Sequence, residues 1–237
     1  ISFIENEEGF LYPRIDGNRC IECNLCTIIC PVNKDAEIIS DDYLPLPGAF
    51  AVMAKDKAML AKSASGGLFG ILAQLTIQDG GVVFGAVYDE SFRVMHIMAE
   101  TWAQVTRMQG SKYVQSAILD TYLKAQEELK KGRKVLFTGT PCQIAGLKSY
   151  LRTSYPNLTT VDILCHGVPN QKLFSAYLSY MEAKNKAKVK AYSFRDKEKW
   201  GWGCWGSIKL EKQNGKYRKL YFPVSSDYFY SLYFEEN

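Results

Sequence analysis

Four cysteines near the start of the chain constrain its fold more than any other feature. They stand in the run C-x2-C-x2-C-x3-C-P, which consists of Cys20, Cys23, Cys26, Cys30 and Pro31 with the intervening residues. This spacing is typical of bacterial ferredoxins, in which thiolates from one short loop hold an iron–sulfur cluster. In two-cluster ferredoxins the fourth cysteine ligates the other cluster. We therefore expect the first three thiolates to share one 4Fe–4S cluster, and Cys30 to serve a second cluster whose other ligands precede the first residue.

Two other uses of these cysteines remain open. A zinc site would employ the same thiolates, although zinc sites usually pair two C-x2-C units across a longer gap. A disulfide framework is disfavoured, because four cysteines so close together in a large, core-forming chain look like metal ligands. The seven cysteines of the chain instead indicate a reducing compartment. We expect a cytoplasmic protein in which Cys142 and Cys165 are free thiols.

A proline-rich joint at residues 44–48 (LPLPG) divides the chain into two predicted regions. Residues 1–47 are predicted to form a ferredoxin-type 4Fe–4S module, in which residues 4–16 form a hairpin. Residues 48–237 alternate between strand and helix patterns and are predicted to form a larger mixed domain. The fold class is therefore α+β or α/β, with an N-terminal ferredoxin-like iron–sulfur module followed by a mixed α/β domain. The chain starts at Ile1 and ends without an evident stop signal, so we expect the native protein to extend beyond both ends.

Composition excludes two classes of partner. The net charge of the 237-residue chain is only +4, and its lysines are mostly dispersed, which gives no reason to expect nucleic acid. No apolar run approaches the roughly 18 residues that a membrane span requires. No signal peptide is visible. We expect neither a nucleic-acid partner nor a membrane span.

The larger region contains a predicted strand–helix–strand unit. The predicted strands are 49–54, 82–88, 93–99, 134–138, 159–164, 189–194, 207–211 and 217–222, and the predicted helices are one opened by residues 63–67 and running to about 78, then 116–131, 141–151 and 170–184. Strands 134–138 and 159–164 flank helix 141–151 with short connections, which predicts parallel strands and a right-handed crossover. Ligands of open α/β sheets bind at the carboxyl ends of such strands.

Those two carboxyl ends carry polar and reactive side chains. The first loop has the sequence GTPCQ (139–143) and the second has CHG (165–167). A capping box with proline at the first helical position explains part of the first loop, but a capped helix start still presents N–H groups to an anion. His166 is the nearby side chain suited to proton exchange near neutral pH, whereas His96 lies in an alternating strand and is interpreted as a surface or satisfied residue. The predicted substrate rim consists of Thr140, Cys142, Gln143, Cys165 and His166, with Cys142, Cys165 and His166 as the catalytic candidates.

Two further loops precede predicted helices. The small residues of SASGG (63–67) let a phosphate or a planar ring approach the backbone, although a tight turn with an N-capping serine explains them equally well. The loop GSKYVQS (110–116) supplies a cation, an aromatic ring and an amide, which are partners that a flavin needs; a helix cap is the alternative. The candidate cofactor-binding residues here are Ser63, Ser65, Gly66, Gly67, Ser111, Lys112, Tyr113, Gln115 and Ser116, to which Thr140 and Gln143 of the rim are added.

Taken together and in order, the motifs resemble one known family. After the cysteine run come SASGG, GSKYVQS, GTPCQ, DILCHGVP (162–169) and FRDKEKWGW (194–202). This series resembles the beta subunits of coenzyme F420 hydrogenases and dehydrogenases, which are deazaflavin-reducing iron–sulfur flavoproteins, and the resemblance covers nearly the whole chain. It implies an FAD-containing oxidoreductase with one or two 4Fe–4S clusters, whose mixed α/β domain binds the flavin. In that family the flavin exchanges a hydride with a two-electron carrier and single electrons with the clusters.

The resemblance also implies partners, namely ferredoxin or a redox partner subunit, together with a soluble two-electron carrier or a small-molecule substrate. Some relatives have no known deazaflavin, so the substrate does not follow from the fold. Two alternatives of other classes stay open. One is an electron-transfer or docking subunit without its own flavin, and the other is a zinc-stapled structural module.

Overall fold

The computed structural model describes residues 1–30 and 48–230, and three sheets lie in these ranges. Pro31, residues 44–47 of the proline-rich joint, the predicted boundary after residue 47 and the chain beyond residue 230 lie outside the described residues. The elements in chain order are β1 (Ser2–Glu5), β2 (Leu11–Arg14), α1 (Leu25–Ile28), α2 (Lys57–Lys62), α3 (Leu68–Gln78), β3 (Val82–Tyr88), β4 (Val94–Ala99), α4 (Trp102–Met108), α5 (Thr121–Lys130), β5 (Val135–Gly139), α6 (Pro141–Leu151), β6 (Leu158–Asp162), α7 (Gln171–Asn185), β7 (Ala187–Ser193), β8 (Trp205–Lys212) and β9 (Tyr217–Pro223).

The central sheet has the strand order β4-β3-β5-β6. Strand β4 is antiparallel to β3, whereas β3, β5 and β6 are mutually parallel, so Gly139 lies opposite Asp162 at the ends of β5 and β6. Helix α6 makes the connection between β5 and β6, which confirms the predicted parallel unit. Both faces of the sheet are covered, because Phe84 and Phe137 pack towards α5 and α6, while Val83 and Leu136 pack towards α3 and α4. Buried parallel strands read as continuous apolar runs for this reason.

The second sheet is antiparallel, in the order β7-β8-β9, and packs on α7. Its core is aromatic. The ring centroid of Phe174 lies 5.2 Å from that of Tyr192 and 5.5 Å from that of Phe194. Tyr88, at the end of β3, stacks on Phe174 with centroids 6.1 Å apart. The two sheets therefore share one core, and the carboxyl end of β3 lies beside the segment that follows β7.

The predicted N-terminal hairpin is present, with β1 antiparallel to β2. Its turn contacts the start of α7, since Lys172 Nζ donates to Glu7 O at 2.9 Å. The backbone at Gly9 also lies against Asn170 and Lys172. The hairpin is thus fixed next to the segment that connects β6 with α7. Across residues 1–30 and 48–230, every helix is too short or too polar to cross a membrane.

Several sequence expectations about individual elements were wrong. Residues 49–54 form no strand; they run beside the following loop, where Ala54 N–H donates to Gly66 O at 2.7 Å. Helices α2 and α4 were not predicted. The helix expected from residue 116 starts at Thr121, because Ala117 exchanges backbone hydrogen bonds with β4. Strand β6 is an edge strand and is only partly buried.

Candidate functional site

Three of the loops singled out by sequence meet at the carboxyl edge of the central sheet. Ile163 N–H donates to Gly139 O at 3.1 Å, which joins the loop after β6 to the end of β5. Gln143 Nε2 donates to Ser116 O at 3.3 Å, and Gln115 N–H donates to Pro169 O at 2.8 Å. Loops 110–116, 139–143 and 163–169 therefore adjoin one another. This is the edge where parallel sheets place their ligands.

His96, on β4, links the 110–116 loop to β5 through two hydrogen bonds. Its side chain is 3% exposed. Because the carbonyl oxygen of Thr138 can only accept, His96 Nε2–H donates to it at 2.9 Å, and His96 Nδ1 accepts from Ser116 Oγ at 2.7 Å. Burial lowers the pKa of His96, so the ring is held neutral in one tautomer. The interpretation of His96 as a satisfied histidine is thereby confirmed, and its position places the Ser116 hydroxyl against β5.

Lys112 is a half-buried cation beside the same edge. Its ammonium donates to the carbonyl oxygens of Met108, Gln109 and Gly110 at 3.0, 3.2 and 3.1 Å, and so closes the end of α4. It also lies 5.7 Å from the ring centroid of Tyr88. Burial lowers the pKa of Lys112 to about 8. Within the described ranges no carboxylate forms an ion pair with it. A buried ammonium among neutral carbonyls is a natural partner for an anionic ligand.

Two buried polar groups next to Lys112 have no hydrogen-bond partner within residues 1–30 and 48–230. They are the whole side-chain amide of Gln109, Nε2 and Oε1 alike, and the hydroxyl of Tyr88. The Gln109 amide faces the first turn of α3, because a Cβ added at Gly70 would lie 3.2 Å from Gln109 Nε2. Buried polar groups in proteins are nearly always hydrogen-bonded, so orphaned ones indicate a missing partner. These groups fit a polar ligand lying between α3 and the 110–116 loop.

The SASGG segment leads into α3, and its glycines are required by packing. A Cβ on Gly66 would lie 2.3 Å from Val52 O, and Gly67 has a φ of +88°. Ser63 Oγ donates to Met59 O at 2.8 Å, so it serves the end of α2. The N-cap of α3 is Gly67, with no side-chain cap, so the alternative of an N-capping serine does not hold. The exposed Ser65 contributes its carbonyl oxygen, which accepts from Lys197 Nζ at 2.9 Å.

We expect Gly66→Ala to lower the free energy of unfolding by about 1–3 kcal/mol, because the new methyl group would meet the backbone of Val52, which cannot yield as a flexible side chain does. Urea unfolding measures the effect. The matched control is Gly17→Ala, where a Cβ meets nothing within 4 Å and the expected change is within about 0.5 kcal/mol. Equal stability of the two variants would contradict the packing explanation.

The rim loops present their reactive groups to solvent. The predicted capping box of Thr140 and Gln143 is present, with Thr140 N–H donating to Gln143 Oε1 at 3.0 Å. Cys142 is exposed, and its sulfur lies 3.1 Å from Thr140 Oγ1. Cys165 and His166 are both exposed in the next loop, where Gly167 N–H donates to the Cys165 sulfur at 3.4 Å. Two thiols and one imidazole thus stand on adjoining loops.

The remaining residues of the 110–116 loop have different roles. Ser111 is half-buried. Tyr113 turns into the aromatic core, with its ring centroid 5.3 Å from that of Phe194 and 6.0 Å from that of Tyr230. Tyr113 therefore anchors the loop to the second sheet. The Gln115–Ser116 end of the loop adjoins the two rim loops, through Pro169 and Gln143.

The four cysteines of the run are free thiols, and so are the other three of the chain. Cys20 and Cys23 are exposed, while Cys26 and Cys30 are partly buried. Four thiols at this spacing are the right donor set for a 4Fe–4S cluster. Among residues 1–30 and 48–230, however, no three side chains of His, Cys, Asp or Glu are grouped closely enough to hold a metal ion. The structure therefore does not bring these predicted ligands together.

Comparisons with known proteins find a family similarity in the segment that carries both rim loops. Residues 132–222, which include both rim loops and the FRDK motif, match the family model for the C terminus of the coenzyme F420 hydrogenase/dehydrogenase beta subunit. The search of curated proteins found no match. Among solved structures, the chain is similar to a chain of the F420-reducing NiFe hydrogenase complex from Methanosarcina barkeri, with 17% identity and a TM-score of 0.47 over 80% of this chain and 65% of that one, which is less than two thirds of its length. The matched segment of 91 residues contains three of the motifs through which the sequence resembles this family, GTPCQ, DILCHGVP and FRDKEKWGW.

Proposed function

We propose that this protein is an iron–sulfur flavoprotein oxidoreductase that moves electrons between 4Fe–4S clusters and a two-electron carrier through FAD. The family supports a redox protein of the hydrogenase and dehydrogenase class. The observation that carries the flavin is the half-buried Lys112, which has no carboxylate partner among residues 1–30 and 48–230, next to the unpartnered Gln109 amide and Tyr88 hydroxyl. An anionic, hydrogen-bonding cofactor would compensate both the charge and the missing hydrogen bonds.

The residues present fit FAD. Bound FAD would supply the exchange of a hydride on one side for single electrons on the other. Lys112 would provide positive charge to the pyrimidine end of the ring or to a phosphate, and Gln109 would provide an amide. The uncapped start of α3 presents backbone N–H groups, which favour phosphate. His96 holds Ser116 and β5 in place, so that the 110–116 loop keeps one position against the sheet.

His166 is the histidine of this edge that can exchange protons with a ligand. Both ring nitrogens of His96 are engaged, and its burial keeps it neutral. His166 is exposed in the loop between β6 and α7, which is hydrogen-bonded to the end of β5 at Gly139 and to the 110–116 loop at Gln115. Imidazole is the side chain suited to general acid–base catalysis near neutral pH. We propose that His166, with Cys142 and Cys165 beside it, faces the substrate that exchanges the hydride.

The cysteine run would hold the clusters. Its donor chemistry fits iron–sulfur ligation, and metal sites are seldom preformed before the metal binds. The N-terminal hairpin lies against the start of α7, directly after the loop that carries His166. These contacts attach the hairpin that precedes the cysteine run beside the proposed site, which supports a short path between the clusters and this edge. Ferredoxin or a partner subunit would take or give the single electrons, and a soluble two-electron carrier or a small molecule would exchange the hydride.

Anaerobic reconstitution with iron and sulfide tests the cluster assignment. We expect the wild-type protein to retain iron and acid-labile sulfide. Cys20→Ser, Cys23→Ser and Cys26→Ser should each lose the iron of the cluster that these three thiolates share, because a cubane needs its thiolate ligands. Cys142→Ser, which alters an exposed thiol outside the run, is the matched control and should retain it.

The same measurement decides between one cluster and two. If Cys30 serves a second cluster, Cys30→Ser should keep the iron of the first. Loss of iron from Cys30→Ser equal to that from the other three variants would show a single cluster with four ligands. Bound zinc in place of iron and sulfide would contradict the assignment and favour the zinc-stapled module.

A further inference from the structure

Two cations stand side by side in the FRDK motif that follows β7. Arg195 and Lys197 alternate with Asp196, which faces the outer side of the second sheet, where it accepts from Ser207 Oγ at 2.5 Å and pairs with Lys219 at 2.9 Å. Burial, and after it the guanidinium of Arg195, lower the pKa of Lys197. The two cations are therefore close neighbours, and the carboxylate between them is committed elsewhere.

In the part of the chain that the structure describes, neither cation has a carboxylate partner. Lys197 Nζ donates to two neutral carbonyl oxygens, Leu60 O at 3.2 Å and Ser65 O at 2.9 Å. Arg195 Nε is buried and has no hydrogen-bond partner among the described residues. No ion pair found between described residues includes either side chain. A buried donor of a charged group left without an acceptor is costly, so an anion is the expected partner.

The Lys197 contact with Ser65 brings this cation to the start of α3. The N-cap, Gly67, follows two residues after Ser65, and α3 is 11 residues long with neither a side-chain cap nor an acidic residue in its first turn. The unpartnered amide of Gln109 faces that first turn at Gly70. Helix N-termini carry partial positive charge and free N–H donors. The place therefore combines a cation pair, helix donors and a buried orphan amide.

We propose that Arg195, Lys197 and the first turn of α3 form a binding site for the phosphate groups of a nucleotide. That the occupant is the diphosphate of FAD rests on the proposed function, whereas the phosphate site itself does not. A purely structural role would let Lys197 tether the end of α2 to the SASGG loop. Such a tether explains the two carbonyl contacts, but it requires neither a second, unpartnered cation beside it nor an uncapped helix.

The test uses the full chain and two ligands, FAD and inorganic diphosphate, with affinities measured by calorimetry and by competition. We expect diphosphate to compete with FAD. Arg195→Gln and Lys197→Gln should each weaken both ligands by about tenfold or more, and Lys197→Arg should restore most of the loss. Lys199→Gln is the matched control, because Lys199 belongs to the same segment but lies over the ring of Trp200; it should change neither affinity.

The outcomes separate this proposal from the proposed function. If diphosphate binds and requires both cations while FAD does not bind, the phosphate site stands and the flavin function falls. If FAD binds with unchanged affinity in both Gln variants, the flavin function stands and the phosphate site is overturned. Failure of diphosphate to bind or to compete also overturns it. Thermal unfolding of each variant shows whether a loss of binding reflects a loss of folding. If Lys197→Gln lowers the unfolding temperature and weakens FAD binding but leaves the affinity for diphosphate unchanged, Lys197 serves as the tether alone.

Discussion

His166→Gln is expected to slow steady-state reduction of an acceptor by roughly 10- to 1,000-fold while leaving bound FAD in place. Glutamine keeps the size and hydrogen bonding of the imidazole but cannot exchange a proton at neutral pH. The prediction follows from the different environments of the two histidines. His96 is buried, neutral and bonded at both nitrogens, whereas His166 is exposed on the loop tied to Gly139 at one end and Gln115 at the other.

The measurement is the turnover rate between pH 6 and 8, with bound FAD determined from the protein-bound absorbance. Leu164→Ala is the matched control, since the Leu164 side chain in the same loop is 99% exposed, and it should turn over at the wild-type rate. A wild-type rate for His166→Gln across this pH range would assign His166 a structural role. The predicted substrate rim would then consist of loops 139–143 and 163–169 without a proton-exchanging histidine.

Lys112→Met should weaken FAD binding by about tenfold or more, because it removes the buried positive charge but keeps most of the aliphatic stem. The midpoint potential of bound FAD should also fall, since an anionic reduced flavin loses its counter-charge. Lys130→Met, at an exposed position at the end of α5, should change neither quantity. Unchanged affinity together with an unchanged midpoint potential in Lys112→Met would remove Lys112 from the site.

The pH dependence of stability and of FAD affinity gives a second, independent readout of the role of Lys112. The pKa of Lys112 lies at about 8 in the folded protein, below the ordinary lysine value of 10.5. In the free protein the buried charge is therefore destabilising below pH 8, and stability from this group should rise as the pH increases from 8 towards 10.5. FAD affinity should change in the opposite direction and fall above pH 8, because the neutral amine no longer attracts an anion. Lys112→Met should abolish both dependences; the nearby titratable groups are Tyr88, whose ring it faces, and the neutral His96.

The central architecture could be predicted because its signals are local. Strands β3 and β5 read as continuous apolar runs, and the T-P-x-Q sequence at Thr140 combines a capping residue, a proline and a glutamine at the correct spacing. Helix α4 has a comparable signal, a capping box between Thr101 and Gln104, which the sequence interpretation missed. These elements depend on residues three or four apart, so a single sequence suffices to find them.

The site was less predictable because it depends on distant contacts. Lys197 reaches Ser65 across 132 positions of sequence, and His96 joins Thr138 across 42. Neither pairing leaves a local pattern, so the FRDK motif had no assigned role and His96 was recognised only as a satisfied residue. At Gly66 a local pattern was present but had a different cause. The SASGG sequence suggested a phosphate loop, whereas Gly66 is required because the backbone of Val52 lies directly beside it.

The visible absorption spectrum of the anaerobically purified full chain tests the central claim most directly. The proposed function predicts flavin bands at about 450 nm and a broad shoulder at about 400 nm from iron–sulfur clusters. Denaturation of the protein should release FAD. The shoulder without flavin bands would indicate an electron-transfer or docking subunit that lacks its own flavin. A colourless protein that contains zinc and binds no added FAD would contradict the account.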